Sequence, residues 1–213
     1  MKLSVFAGSP NCRKVQAVIG HLGLEVELDY LDFGGGDLGK PQFLSLNPNA
    51  MVPVLRDGDF VLWESEAILR YLGDKAPRNT LFPMDQKIRA DIMRWQCWGL
   101  AHYNMAFGTL AFEAFAKPKV LKIEPDAALV RWLQGELGRW APVLDGHMKG
   151  RRYAVGGEIT LADYSLAFLE AYQERVPFDW SPYPHLNAYY ERMRAVPHWI
   201  ASAPQSARAA QAA

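Results

Sequence analysis

Two stretches hold the residues whose types and spacing can do chemistry. The first is Ser9-Pro10-Asn11-Cys12, a hydroxyl shortly ahead of a thiol where a strand pattern gives way to a helical one. The Ser9 hydroxyl can donate a hydrogen bond to a ligand thiolate, which favours the charged form and lowers the thiol pKa. The N-terminus of the following helix acts in the same direction. Ser9 can also be a turn residue or an N-cap. Cys12 reads either as a reactive thiolate or as a small buried helix residue, and with Asn11 it is a secondary candidate. The second stretch runs from Asn49 to Leu72. Its backbone edge at Val52 and its helix start at Glu64-Ser65 make a place for a small ligand, because a helix N-terminus offers free N–H groups and Ser65 adds a hydroxyl. A ligand carboxylate would dock there.

The surrounding elements must position these groups. Leu3-Ser4-Val5-Phe6 reads as a strand, and a helix from about Cys12 carries Val15, Val18, Ile19 and Leu22 on one face and ends near Gly23. Val26 to Leu31 alternates as a second strand, so the opening is a βαβ unit with parallel strands. Gly34-Gly35-Gly36 is a loop without phosphate-loop spacing. Pro41 to Leu46 is a short helical turn. Val52-Pro53-Val54-Leu55 is a strand entered through proline, where a cis bond fits, Asp57-Gly58 is a hairpin turn, and Phe60-Val61-Leu62 returns. A helix with Ala67, Ile68, Tyr71 and Leu72 follows. The order βαβ-ββα is that of a thioredoxin-like α/β domain over 1–75. In such domains the first loop carries C-x-x-C. Here Ser9 replaces the first cysteine, so dithiol exchange is not open to this loop alone.

Residues 76–84 hold Pro77 and Pro83 and read as a linker. From 85 to 201 the pattern is all helical, a C-terminal bundle domain. One long helix or a broken pair spans Asp85 to Ala116 and is stopped by Pro118. A second runs from Pro125 to Met148 with a kink expected at Pro142. A third spans Thr160 to Glu174, and a fourth spans Tyr183 to Ala195 and is ended by Pro197. Thr160-Leu161-Ala162-Asp163 has capping-box spacing, with Ile159 placed to staple against Tyr164. Asp163 is therefore read as a cap rather than a catalytic acid. Residues 202–213 read as a flexible tail.

Composition limits the partners. Half of the 213 residues are apolar, enough for one large domain or two small cores, and Lys+Arg and Asp+Glu balance at 23 each. A neutral balance argues against nucleic acid or an acidic membrane surface as partner. No apolar run has membrane-span length, and Met1 to Phe6 leads directly into a strand pattern with no cleavage site. Two cysteines, Cys12 and Cys97, make neither a disulfide framework nor a metal site. A cytoplasmic location and no bound metal are expected.

The chain resembles the cytosolic glutathione S-transferases from Met1 to about Trp199. The residues that carry the resemblance are Ser9 with Arg13, Val52-Pro53, Glu64-Ser65-Glu66-Ala67-Ile68, the proline-containing linker, and Gly156-Gly157-Glu158-Ile159-Thr160-Leu161-Ala162-Asp163. The first loop is most similar to serine-using theta-like and phi-like enzymes. The resemblance implies glutathione as cosubstrate on the N-terminal domain. Ser9 would stabilise its thiolate, Val52 ahead of Pro53 would pair with its cysteinyl backbone, and Glu64-Ser65 would hold its γ-glutamyl end. A small apolar electrophile would lie against the helical domain. The resemblance also implies a homodimer and a role in detoxification. Where related enzymes place polar or basic residues for the glycine carboxylate, this chain has Leu38, Gly39 and Met51, and Lys40 is the substitute, shifted by a residue.

On the helical side, Trp98, His102, Tyr103 and Phe107 are the electrophile-site candidates. Helical spacing fits ordinary packing equally well, and His102 falls on the stripe of Ile88, Ile92, Trp95 and Gly99. Two further readings stay open. One is a glutathione-dependent disulfide reductase or peroxidase using Cys12; the other is a non-catalytic binding module on the same fold.

Overall fold

A computed structural model describes residues 1–204. The chain divides into two compact units. One is 1–82 joined by the described residues from 195 on, and the other is 83–194.

In the first unit, strands β1 (Lys2–Val5), β2 (Glu27–Tyr30), β3 (Val54–Asp57) and β4 (Phe60–Trp63) form one sheet in the order β2-β1-β3-β4. β1 pairs parallel to β2, with Leu3 opposite Leu28, and antiparallel to β3, with Leu3 opposite Leu55. β3 and β4 make the expected hairpin about Gly58, whose φ of 58° suits a residue without Cβ. Helices α1 (Pro10–Leu22), α2 (Pro41–Leu44) and α3 (Ser65–Lys75) complete the βαβ-ββα order. Leu3, Val5, Val15, Val18, Leu55 and Leu69 are fully buried and make the core of this unit.

The helix α1 begins earlier than its apolar face suggests. Pro10 opens it because the missing proline N–H is one of the donors that a helix start leaves unused, and Gly23 closes it in the left-handed region at φ 65°. A hydrogen-bonded anchor joins the hairpin to α3. Asp57 accepts from the Tyr71 hydroxyl and from Lys75 Nζ, each at 2.7 Å. Those contacts, Lys75 foremost, hold its carboxyl below the usual range.

In the second unit lie α4 (Gln86–Trp98), α5 (Asn104–Ala111), α6 (Ala127–Met148), α7 (Leu161–Ala167) and α8 (Pro184–Arg194). Leu133, Leu137, Ala141, Leu144 and Met148 of α6 are buried at helical spacing, whereas Trp132 is 54% exposed. The long pattern from Asp85 is neither one α-helix nor a broken pair. Wide π turns at Gly99–Tyr103 and Phe112–Leu121 interrupt it, Pro118 sits inside the second, and the run ends at Lys122 with φ 58°. α6 runs through Pro142.

The helix expected to reach Glu174 stops at Ala167, and Glu170–Arg175 is a 3-10 turn. Arg194 explains the change, since its guanidinium takes the Glu170 carbonyl at 3.0 Å, its carboxylate at 2.7 Å and the Gln173 amide oxygen at 2.7 Å. A continued α-helix would need that carbonyl for its own ladder. Pro197 does not simply end the chain's helices. It opens α9 (Pro197–Ala201), which belongs with the first unit rather than the helical one. Trp199 of α9 is fully buried, with Arg13 of α1 stacked 4.0 Å over its ring. At the start of the expected tail, Ser202 and Ala203 are buried; residues 205–213 lie outside those described.

The first π turn depends on Gly99. A Cβ there would come within 2.8 Å of Asn104 Nδ2, and that amide is held on the Ser165 carbonyl at 2.9 Å. The amide cannot swing aside without leaving a buried carbonyl unpaired. Gly99→Ala is therefore expected to destabilise the helical unit by about 1–3 kcal/mol. A urea or thermal midpoint equal to wild type would show that the helix gives way freely at this point.

Candidate functional site

In the first unit, the α1 and α3 starts are joined directly and the Val52 loop precedes β3. Ser9 is the N-cap of α1 at φ −81°, ψ 121°, its Oγ accepting from Cys12 N–H at 3.3 Å. The cap uses an oxygen lone pair and not the hydroxyl proton, so capping and donation to a thiolate are compatible at Ser9. The cap is the role seen here for Ser9. The α1 and α3 starts are tied to each other, because Ser65 Oγ donates to Asn11 Oδ1 at 3.2 Å.

The start of α3 carries no side-chain cap, which it shares with the short helices α2 and α9. Among the described residues, α1, α4 and α6 begin on Ser9, Asp85 and Asp126, whose side chains accept their first-turn N–H groups. α8 receives Asp145 Oδ1 on His185 and Leu186 N–H at 2.8 and 2.9 Å. α3 begins on Glu64 with no side-chain cap. Glu64 lies at φ 72°, ψ 111°, outside the regions a residue with Cβ prefers, which costs on the order of 1–3 kcal/mol. A strained residue thus leads into uncapped donors, an arrangement suited to an incoming carboxylate.

Val52 stands before cis-Pro53. Among the described residues its backbone N–H and C=O make no hydrogen bond, so the edge is open for pairing. Asn47 shapes this loop and was not singled out from sequence. It is 2% exposed, donates to the Met51 carbonyl at 2.8 Å and accepts from Asn49 N–H at 3.1 Å. Its only sequence signal was a turn composition. Met51 itself is 66% exposed.

Two expected site residues are placed otherwise. Cys12 is fully buried, and burial pushes its thiol up, against the opposing influence of the Ser9 side chain and the Phe6 backbone. Of the two readings of Cys12, these observations fit the small buried helix residue, since a nucleophilic cysteine needs exposure and a lowered pKa. Lys40 is exposed but occupied. Its Nζ lies 2.6 Å from Asp37 Oδ1, whose second oxygen accepts Asp32 N–H at 2.7 Å. The Lys40 bond holds the Asp37 carboxyl low, and Asp37 raises Lys40 in turn. Leu38 and Gly39 bring no charge to that turn.

In the helical unit the four aromatic candidates separate. Tyr103 and Phe107 are fully buried, Tyr103 with its hydroxyl 2.6 Å from that of Tyr190, and Phe107 with its ring 5.1 Å from Trp180. Their burial fits the packing reading of these two candidates. Trp98 and His102 keep partial exposure, and His102 stacks on Trp140 at 4.4 Å. Trp98 also lines a cleft of about 390 Å³ with Arg94, Trp95, Val143 and His147. Burial lowers the His147 pKa first of all, and Arg94 brings a positive charge to the cleft, paired with Asp91 at 2.5 Å.

Residues 3–80 match the family model "Glutathione S-transferase, N-terminal domain", and residues 104–197 match "Glutathione S-transferase, C-terminal domain". Glutathione S-transferase 3 of Zea mays is 33% identical over 201 residues, covering 92% of this chain and 90% of that protein. Among solved structures, a delta-class glutathione transferase of Nilaparvata lugens superposes with TM-score 0.82 at 29% identity, covering 95% of this chain and 92% of the other. A theta-class glutathione S-transferase of Xanthomonas axonopodis pv. citri, described with glutathione bound, gives TM-score 0.83 at 28% identity, covering 94% and 95%.

Proposed function

The chain belongs to the glutathione S-transferase family, and on that footing we propose that it binds glutathione on its first unit and adds the thiol to a small apolar electrophile. The observation that carries this reading is the uncapped start of α3, tied through Ser65 and Asn11 to the helix that Ser9 caps. The γ-glutamyl carboxylate docks on the α3 N–H groups, that of Ser65 among them, while the Ser65 hydroxyl stays on Asn11 Oδ1. The cysteinyl backbone pairs with Val52. The Ser9 proton is directed at sulfur, the thiol proton leaves to solvent, and the thiolate forms a carbon–sulfur bond as the bond to the electrophile's leaving group breaks and that group departs with the electron pair. The electrophile is assigned to the helical unit, where Trp98 and His102 keep ring surface exposed. We also assign a cytoplasmic homodimer, a reading supported by exposed apolar side chains at Met51, Phe60 and Trp63. No described helix is long and apolar enough to cross a membrane.

A second reading, a non-catalytic binding module, is favoured by one feature. The turn that would meet the glycine carboxylate offers only Lys40, and Asp37 holds it. A missing charge-assisted hydrogen bond costs on the order of 1.5–3 kcal/mol, roughly ten- to hundredfold in affinity. Calorimetry with glutathione separates the readings. Binding at micromolar Kd, weakened about tenfold by Ser65→Ala and less than about threefold by Lys40→Ala, is the expected result. Millimolar or absent binding to the wild-type chain would favour the module reading. The reductase reading through Cys12 loses its support with the burial of that thiol.

A further inference from the structure

We propose that Lys14 is a positioning residue, paired with Glu66 so that the start of α3 stays open to the anionic end of the ligand; this rests on the glutathione reading above. Lys14 Nζ lies 2.5 Å from Glu66 Oε1, with the two side chains 0% and 11% exposed. A fully buried lysine is uncommon, and it persists here because a carboxylate faces it. Packing alone does not call for such a pair, since apolar side chains of similar volume commonly serve as well or better. The location supplies the reason.

Glu66 directly follows Ser65 in the first turn of α3. A carboxylate at that position is drawn to the same N–H groups that a ligand carboxylate would use, and it repels a second anion beside it. Lys14 acts on both effects. It offsets the charge, and it holds the Glu66 side chain toward α1. Lys14 also lies one helical turn beyond Asn11, which accepts the Ser65 hydroxyl. Two cross-links, one neutral and one charged, therefore join the first two turns of α1 to the first turn of α3. Ser9 at one end and Glu64-Ser65 at the other are held in register by them.

The signature of this role is asymmetry between the partners. Lys14→Met leaves the Glu66 charge at the docking site, and Glu66→Gln leaves only the cation. Steady-state kinetics at saturating electrophile should show the glutathione KM rising about tenfold in Lys14→Met with kcat within about threefold of wild type. Glu66→Gln should leave KM at or below the wild-type value. The double variant Lys14→Met/Glu66→Gln should return KM to within about threefold, and Lys14→Arg should retain it. Melting temperatures, measured alongside, are expected to fall in both single variants. If both single variants raise KM alike and in step with their melting temperatures, the pair is only structural and the proposal is overturned. An unchanged KM in Lys14→Met also overturns it. Should Lys14→Met not fold, Lys14→Gln removes the same charge while keeping a hydrogen-bonding end. A wild-type chain that binds no glutathione overturns both this proposal and the functional reading, whereas normal wild-type binding with unmoved variants overturns the proposal alone.

Discussion

Ser9→Ala is expected to lower kcat/KM at neutral pH by about 100-fold, the scale of removing one hydrogen-bond donor aimed at a developing or resting anion. The pKa of the glutathione thiol in the complex should rise toward that of the free thiol. The loss should shrink as pH is raised, because the thiol then ionises without help. Ser9 has a second task, and the two must be separated. Its Oγ caps α1 through Cys12 N–H. Replacing an N-cap serine by alanine costs about 1 kcal/mol, but glycine costs only a few tenths. Ser9→Gly should therefore lose as much activity as Ser9→Ala while keeping nearly wild-type stability. Ser9→Thr keeps both a cap and a donor. Ultraviolet absorbance of the bound thiolate, titrated from acid to base, is the direct readout. A thiol pKa unchanged in Ser9→Ala would remove the residue from the chemistry and leave it as a cap.

Features carried by neighbouring residues were legible before any coordinates. The Asp57-Gly58 turn, the apolar strand pattern of β1 and the Thr160/Asp163 box each need only a few adjacent side chains, so their physics is local. The proline start of α1 is equally local, although its apolar face alone pointed to a later residue. Pairings across long separations were not legible. Lys14 meets Glu66 across 52 positions and Arg13 meets the Trp199 carbonyl across 186. Lys14 does carry a faint trace, a charge flanked by Val15 and Val18 on the buried face of α1, but nothing in a helical period names its partner. α9 was missed for the same reason, because Pro197 reads as a stop whether or not a new helix begins there.

The aromatic candidates fail differently. Periodicity identifies a face of a helix and not what covers it, so Tyr103 and Phe107 looked like Trp98 until Tyr190 and Trp180 were placed against them. Lys40 shows how a local partner can cancel a candidate. Asp37 takes the charge that the turn was expected to present to a ligand.

Asp163→Ala should carry the largest stability loss in the helical unit. The carboxyl is fully buried and accepts Ala154 N–H and Thr160 N–H, each at 2.8 Å, and the Thr160 hydroxyl at 3.1 Å. The Tyr189 hydroxyl adds a bond at 3.2 Å. Alanine would leave these donors buried and unpaired, at about 1–3 kcal/mol each before relaxation, so a net loss of about 3–5 kcal/mol is expected. Asp163→Asn isolates the charge. Burial lifts the Asp163 carboxyl from 3.8 to about 6, against the downward pull of the same hydrogen bonds.

The folded-state pKa is above the unfolded one. Between pH 4 and pH 6 the folded chain therefore keeps a proton that the unfolded chain has released, and this contribution to stability, complete below about pH 4, is lost as pH rises through 6. The amount lost is about 3 kcal/mol, and the asparagine variant, neutral throughout, does not lose it. Wild type minus Asp163→Asn, measured by urea unfolding at steps from pH 4 to pH 7, should fall by that amount. A difference that stays flat would mean that the carboxylate is ionised inside the fold across the whole range, and that its four hydrogen bonds outweigh its burial.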